Sequence, residues 1–223
     1  MVENLKLIVK NPMGILGLSI LLFFAIVAIL APYIAPYNPW DIVDMPFSAP
    51  SSEHVLGTND MGQDLYSELI YGTRISLFVG ITAALISTIV GTIAGITAGY
   101  IGGLPDKILT SLTDTILLLP ALPLMLVLSV FIGPGYTTII LVISLISWPP
   151  VARMIRAQTL SIKNRLHVEA AKAIGASSFR IICKHILPNI APISVALSVL
   201  MVGEAMIAED AFSFLGLGYP TQK

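Results

Sequence analysis

VARMIRAQTLSIKNRLHVEAAKAIGASSFRIICKHILP, residues 151–188, lies between two long apolar runs. It holds Arg153, Arg156, Lys163, Arg165, Lys172, Arg180 and Lys184, seven of the chain's twelve Lys and Arg residues, against one acid, Glu169. A cation-rich connector between apolar runs is the pattern of a membrane protein whose connector stays on the cytosolic side. Composition agrees. Of the 223 residues 56% are hydrophobic and 11% charged, against about 25% charged in a soluble domain, and mean hydropathy is +0.89. So few charges cannot cover a water-facing surface. The fold class is therefore all-α, a polytopic bundle of transmembrane helices.

Working outward, five runs reach the roughly 20 apolar residues needed to cross a bilayer. They span about 13–31, 75–100, 112–132, 136–151 and 190–208, the fourth ending at Trp148-Pro149-Pro150. Residues 32–73 contain no Lys or Arg but carry Asp41, Asp44, Glu53, Asp60, Asp64 and Glu68; Lys6 and Lys10 precede the first run, and Lys107 follows the second. The arrangement predicts a cytoplasmic N-terminus, an external acidic loop and a cytosolic basic loop. The first run is long for a signal-peptide core and no small-x-small site follows Leu30, so it reads as an uncleaved anchor. The chain divides into residues 1–73 (N-terminal segment, anchor helix, external loop) and 74–223 (a transmembrane domain carrying the loop at 153–188).

Several positions carry chemistry. Gly91, Gly95 and Gly99 recur every four residues and predict close helix packing against a partner the sequence does not identify. Pro120 and Pro123 break the third run; the break suits a helix lining a pathway and equally a packing kink. Glu204, near the middle of the fifth run, is costly in lipid and is a candidate for a pathway wall, a gate or a subunit contact, whereas Glu209-Asp210 fit the water interface. In the acidic loop, residues 59–70 predict a short surface helix capped by Asn59 or Asp60. In the basic loop, Glu169-Ala170-Ala171-Lys172-Ala173-Ile174-Gly175 reads as a helix and its stop; Ser177 or Ser178 starts a second short helix, and Pro188 restarts the chain into the fifth run. Exposed on one membrane face, that hairpin is either a docking element or a solvated connector.

The chain has no G-x-x-x-x-G-K-[ST] loop, no H-E-x-x-H and no G-x-S-x-G, so no catalytic residue is assigned. Three scattered histidines and one cysteine, Cys183, make no metal site by spacing, and a net charge of −1 argues against nucleic acid.

The stretch Glu169-Ala170-Ala171-x-x-x-Gly175 with Ile186-Leu187-Pro188 resembles the EAA loop of ATP-binding-cassette importer permeases. The stretches 56–64 (LGTNDMGQD), 70–76 (IYGTRIS) and 212–218 (FSFLGLG), together with Asn11-Pro12-Met13-Gly14, are similar to the dipeptide, oligopeptide and nickel branch. Gln63 and Glu68 stand where that branch favours basic residues, and His185 fits the peptide branch. The resemblance implies six spans, of which this chain would lack the last. It implies a multi-pass subunit of the cell (inner, cytoplasmic) membrane, forming half of a pathway for peptides, nickel or other small solutes. Its partners would be a second homologous permease, two ATP-binding-cassette ATPases that hold the ATP and Mg, and an extracytoplasmic substrate-binding protein; the chain itself would bind no cofactor. The hairpin would be the coupling element, with Glu169 making a charged contact, Ala170 and Ala171 allowing close approach and Gly175 shaping the turn. An ion-coupled secondary transporter and a non-transporting remnant are the competing readings.

Overall fold

The computed structural model describes residues 11–216. Lys6, Lys10, Leu217-Gly218 and residues 219–223, used in the sequence reading, lie outside the described residues. Among those described, the architecture is helical, with a single isolated bridge between Thr58 and Asp64. The chain divides into two compact units, the boundary falling between Phe78 and Val79.

In the first unit, α1 (Pro12–Ile34) begins where the Asn11 side chain accepts a hydrogen bond from the Met13 amide, with Pro12 in the first turn. It is apolar around its circumference and buries only Ala28 and Ala31, as a lipid-facing helix does. The acidic segment that follows folds into a lobe built on buried polar contacts. Asp64, fully buried, receives hydrogen bonds from the Ser67 amide and hydroxyl (both 2.8 Å) and pairs with His54 Nδ1 at 3.0 Å. The Ser67 hydroxyl also accepts from the Tyr37 amide. Asn59 Oδ1 accepts from the amides of Met61 and Gln63, and Gln63 Nε2 donates to the Trp40 carbonyl.

These contacts correct the expected surface helix at 59–70. Asn59 organises a turn, Asp64 is the cap, and α2 (Leu65–Ile101) starts directly after it and continues as one helix of 37 residues. That length, roughly 55 Å at 1.5 Å per residue, exceeds the bilayer core, so the second crossing absorbs the segment expected to lie along the surface. Gln63 is an internal brace here.

The second unit is organised around α5 (Tyr136–Lys163), which buries Ile139, Val142, Ile143, Val151 and Ile155. The fourth helix was expected to stop at Trp148-Pro149-Pro150 but runs through both prolines. Trp148 and Pro149 are buried, and tertiary packing holds the helix despite the two missing amides. Arg153 and Arg156 therefore belong to a helix rather than to the basic loop.

The three glycines of α2 meet α5 in step. A Cβ at Gly91 would lie 2.8 Å from the Trp148 carbonyl oxygen, at Gly95 2.6 Å from that of Ala152, and at Gly99 2.9 Å from that of Arg156. The numbers rise together along both chains, so α2 and α5 run parallel. Ser87 and Ser144 add shared backbone contacts, the Ser144 hydroxyl reaching the Ala83 carbonyl at 3.4 Å. By contrast α8 (Leu187–Phe214) meets α2 in reverse order: Met206 lies at Gly80, and Ser194 bonds Thr92 at 3.2 Å. It is antiparallel to α2.

Between the parallel α2 and α5 the chain must return once across the membrane. The segment available for that return is the bent pair α3 (Gly103–Leu118) and α4 (Ala121–Ile132), which meet at 98°. A single kinked helix over 112–132 was expected, so this is a correction. Pro120 forces Leu119 into an extended conformation and ends α3, while Pro123 is accommodated in the first turn of α4, where its amide is not required. By length and apolar character the described helices supply four crossings, or five with the bent pair counted as one.

Two experiments test this packing. Gly95→Ala places a methyl against backbone rather than a movable side chain, so it is expected to cost about 1–3 kcal/mol of stability in detergent unfolding. Gly72→Ala, with nothing within 4 Å of the added carbon, is expected to be neutral. In the acidic lobe, burial raises the Asp64 carboxyl, yet the Ser67 hydrogen bonds and His54 outweigh it and hold it below the ordinary carboxylate range. A lowered folded-state value contributes stability above the unfolded value and loses it as pH falls through the folded one. Limited proteolysis of the lobe is therefore expected to accelerate below about pH 4 in the wild type. Asp64→Ala, which orphans His54 and the Ser67 amide, is expected to be about 3 kcal/mol less stable at neutral pH and to lose that acid-dependent step.

Candidate functional site

The basic segment after Lys163 folds as a compact helical hairpin. Arg165 is extended, and α6 (Leu166–Ala173) turns Val168 and Ala171 inward while Glu169, Ala170, Lys172 and Ala173 face outward. The helix stops as its glycine predicts. Gly175 has φ +80, its amide donates to the Lys172 carbonyl at 2.9 Å, and the Ala176 amide reaches back to Ala171 at 3.0 Å. Ser177 then caps α7 (Ser178–Ile181), accepting from the Arg180 amide. A π-helical segment, Ile182–Ile186, joins α7 to α8.

Expected site residues separate into two groups. Glu169, Ala170 and Gly175 share the exposed outer side of the hairpin. Ala171 and Ile186 are buried, and with Val168, Ile181 and Ile190 they form one core with Ile155 and Ile162 of α5. Ile186, Leu187 and Pro188 thus belong to the stem rather than the tip; Pro188 sits in the first turn of α8 (Leu187–Phe214), where the sequence placed the restart, and the π segment joins that turn to α7 without a break. Three large apolar side chains join the outer side: Leu166, Ile174 and Phe179 are 84%, 86% and 78% exposed. Glu169 has no ion-pair partner among the described residues, although lysines lie close by in sequence. Exposed apolar side chains beside small alanines and an unpaired carboxylate can receive the groove of another protein.

The hairpin rests on a well-pinned end of the bundle. Arg156 makes a two-pronged contact with Asp106 of α3 (2.5 and 2.8 Å), and Arg153 reaches Asp114 at 2.7 Å. Lys163 donates to the Tyr100 carbonyl at 2.6 Å, and Lys163 and Lys172 both lie over the Tyr100 ring, at 5.7 and 5.5 Å from its centre. The sequence reading missed these pairs. Asp106 and Asp114, acids on an otherwise basic side and two helical turns apart, were the available signal.

Elsewhere, Glu204 lies on a face of α8 whose neighbours Leu200 and Ile207 are 64% and 72% exposed. No hydrogen bond or ion pair joins it to a described residue. Glu209, near the outer end of the fifth run, is buried within the protein and accepts from the Ser213 hydroxyl at 2.9 Å. Pro120 and Pro123 are exposed, and the structure links neither to Glu204. A cavity of about 180 Å³ beside Arg156, lined by Ala94, Gly95, Ala98 and Thr113, is smaller than the ~300–1,000 Å³ of small-molecule sites and is not a cargo passage. Among the described residues no three His, Cys, Asp or Glu side chains are grouped to hold a metal.

Residues 91–223 match the family of binding-protein-dependent transport system inner membrane components, and residues 5–50 match the N-terminal transmembrane domain of oligopeptide transport permease C. Among similar proteins is the dipeptide transport system permease protein DppC of Bacillus subtilis, 40% identical over 94% of this chain and 66% of its own length. A putative peptide transport system permease of Brucella suis is 38% identical over 92% and 69%. The oligopeptide transport system permease protein OppC of Bacillus subtilis is 34% identical over 95% and 70%. The chain thus spans about two thirds of the length of these relatives. With 60% of its residues inside the first match and a helical, membrane-crossing architecture, the chain belongs to the binding-protein-dependent transport system inner membrane component family.

Proposed function

We propose that this chain is a permease subunit of an ATP-binding-cassette importer that carries peptides, dipeptides foremost, across the cytoplasmic membrane. It forms half of the pathway and pairs with a second, homologous permease. An extracytoplasmic binding protein delivers cargo, and two cytosolic ATPases bind ATP and Mg. The observation that carries this reading is the hairpin. Its outer side carries three exposed apolar side chains and an unpaired acid among exposed cations, and its inner side is locked into the core of α5 and α8. A motor that seats the outer side therefore pulls on the bundle.

The physics is linkage. ATP moves the pathway only if its nucleotide states hold the hairpin with different free energies, and a nearly complete shift needs roughly 5.5 kcal/mol of difference. One rigid hairpin per permease is a compact way to collect that difference. Glu169 supplies a charged contact, Ala170 gives clearance, and Gly175 fixes the turn that presents Ile174. Glu204, with Pro120 and Pro123 at the break between α3 and α4, lines or gates the pathway or meets the second permease. A carboxylate on an exposed membrane helix requires protein or water beside it.

Gly175→Pro and Glu169→Lys test the assignment. Both are expected to insert normally yet reduce uptake by the assembled transporter by about tenfold or more, within the span of typical coupling free energies. ATPase co-purification is expected to weaken most for Glu169→Lys. Normal ATPase binding and normal uptake in both variants would remove the coupling role.

A further inference from the structure

The run from Ser178 to Phe214 is one continuous helical stretch of 37 residues, but its buried positions do not follow α-helical spacing. Ile181, Ile186 and Ile190 are all essentially inaccessible. Four residues separate the second and third, as one face of an α-helix requires. Five separate the first and second, and in an α-helix five residues turn roughly 140° off the starting face. The π segment at 182–186 removes the conflict. Its wider turn, with the Leu187 amide donating to the Ile182 carbonyl, brings Ile181 and Ile186 onto the same core, while Cys183 and Lys184 bulge outward exposed.

The local cause is legible. Pro188 offers no amide to the Lys184 carbonyl and its ring crowds that position, so the α-helical register is unfavourable there. Asn189 Nδ2 donates to the His185 carbonyl at 2.7 Å, satisfying part of the loosened backbone. Pro192 repeats the loss of an amide one turn later. A helix bends where its ladder is interrupted, and a π turn stores one residue that an α-helix would expel.

We propose that residues 182–186 form a positioning joint between the short helix of the hairpin and the transmembrane helix α8. The stored residue keeps both apolar faces in register with the core and lets the short helix tilt without unseating Ile186. This rests on the coupling reading above and adds to it the point at which motion passes into the membrane.

The test uses the assembled transporter in proteoliposomes, with radiolabelled dialanine as cargo. Deleting Cys183 shortens the Ile181–Ile186 spacing to α-helical register. Deletion inside a packed helix usually rotates one half away from its contacts; here the deletion variant is expected to assemble, to retain the ATPases and to hydrolyse ATP at an unchanged basal rate. Dialanine imported per ATP is expected to fall at least about fivefold, the lower end of typical coupling. Amide hydrogen exchange over residues 182–189, which needs no cargo, is expected to slow in the same variant. Inserting one alanine after Cys183 pushes the isoleucines out of register and is expected to abolish assembly. Pro188→Ala, which changes no spacing, is expected to lower import per ATP less than the deletion.

A deletion variant with wild-type import per ATP and wild-type exchange would overturn the joint, and one that fails to assemble would overturn the register argument. So would an insertion variant that assembles normally. Failure of the coupling reading has a separate signature, since the wild-type chain would then not retain the ATPases at all.

Discussion

The contact on which the rest depends is the approach of α2 to α5. Gly91, Gly95 and Gly99 let the carbonyls of Trp148, Ala152 and Arg156 come to distances that a methyl group would contest. In lipid, where burying apolar surface gives little drive, such backbone proximity supplies the packing energy. It also dictates direction. Because the contacts climb both helices together, the chain must recross the bilayer between them, and the segment available to do so is α3 with α4, bent by 98°. α8 then returns in the opposite sense along α2. Alternation of these crossings is thus a consequence of three small residues.

Charge closes one end of this arrangement. Two arginines of α5 find aspartates on α3, and Lys163 and Lys172 gather over Tyr100. The Arg156–Asp106 pair is partly buried and two-pronged and so contributes more than the exposed Arg153–Asp114 pair, which adds little. The hairpin emerges from the end so pinned, with its inner residues in the same core as Ile155 and Ile162. Anchoring of its inner residues in the core and apolar exposure at its tip are what a transmitted pull requires.

The legible part of the fold was whatever depended on local chemistry. Apolar run length marked the crossings, the Gly175 stop and a start at Ser177 or Ser178 were readable from backbone preference, and the four-residue glycine repeat announced a close contact without naming its partner. What the sequence hid was long-range. Trp148-Pro149-Pro150 reads as a terminus, yet packing on both sides of α5 carries the helix through it. Pro120 reads as a kink and is a corner. Asp64 looked like one acid among several, whereas a histidine ten residues earlier makes it the buried cap of α2. At the hairpin, motif residues looked equivalent in sequence, but Glu169 and Ala170 face out while Ala171 and Ile186 are core. Which side of a helix is free depends on neighbours that a linear reading cannot place.

All of this requires the hairpin to lie in the cytosol. The chain's one cysteine, Cys183, is exposed on it, so its sidedness can be read directly. With a membrane-impermeant maleimide, the account predicts that Cys183 stays unlabelled in intact cells and is labelled in inverted membrane vesicles. Labelling of Cys183 from outside intact cells would place the hairpin beyond reach of any cytosolic ATPase and contradict the account.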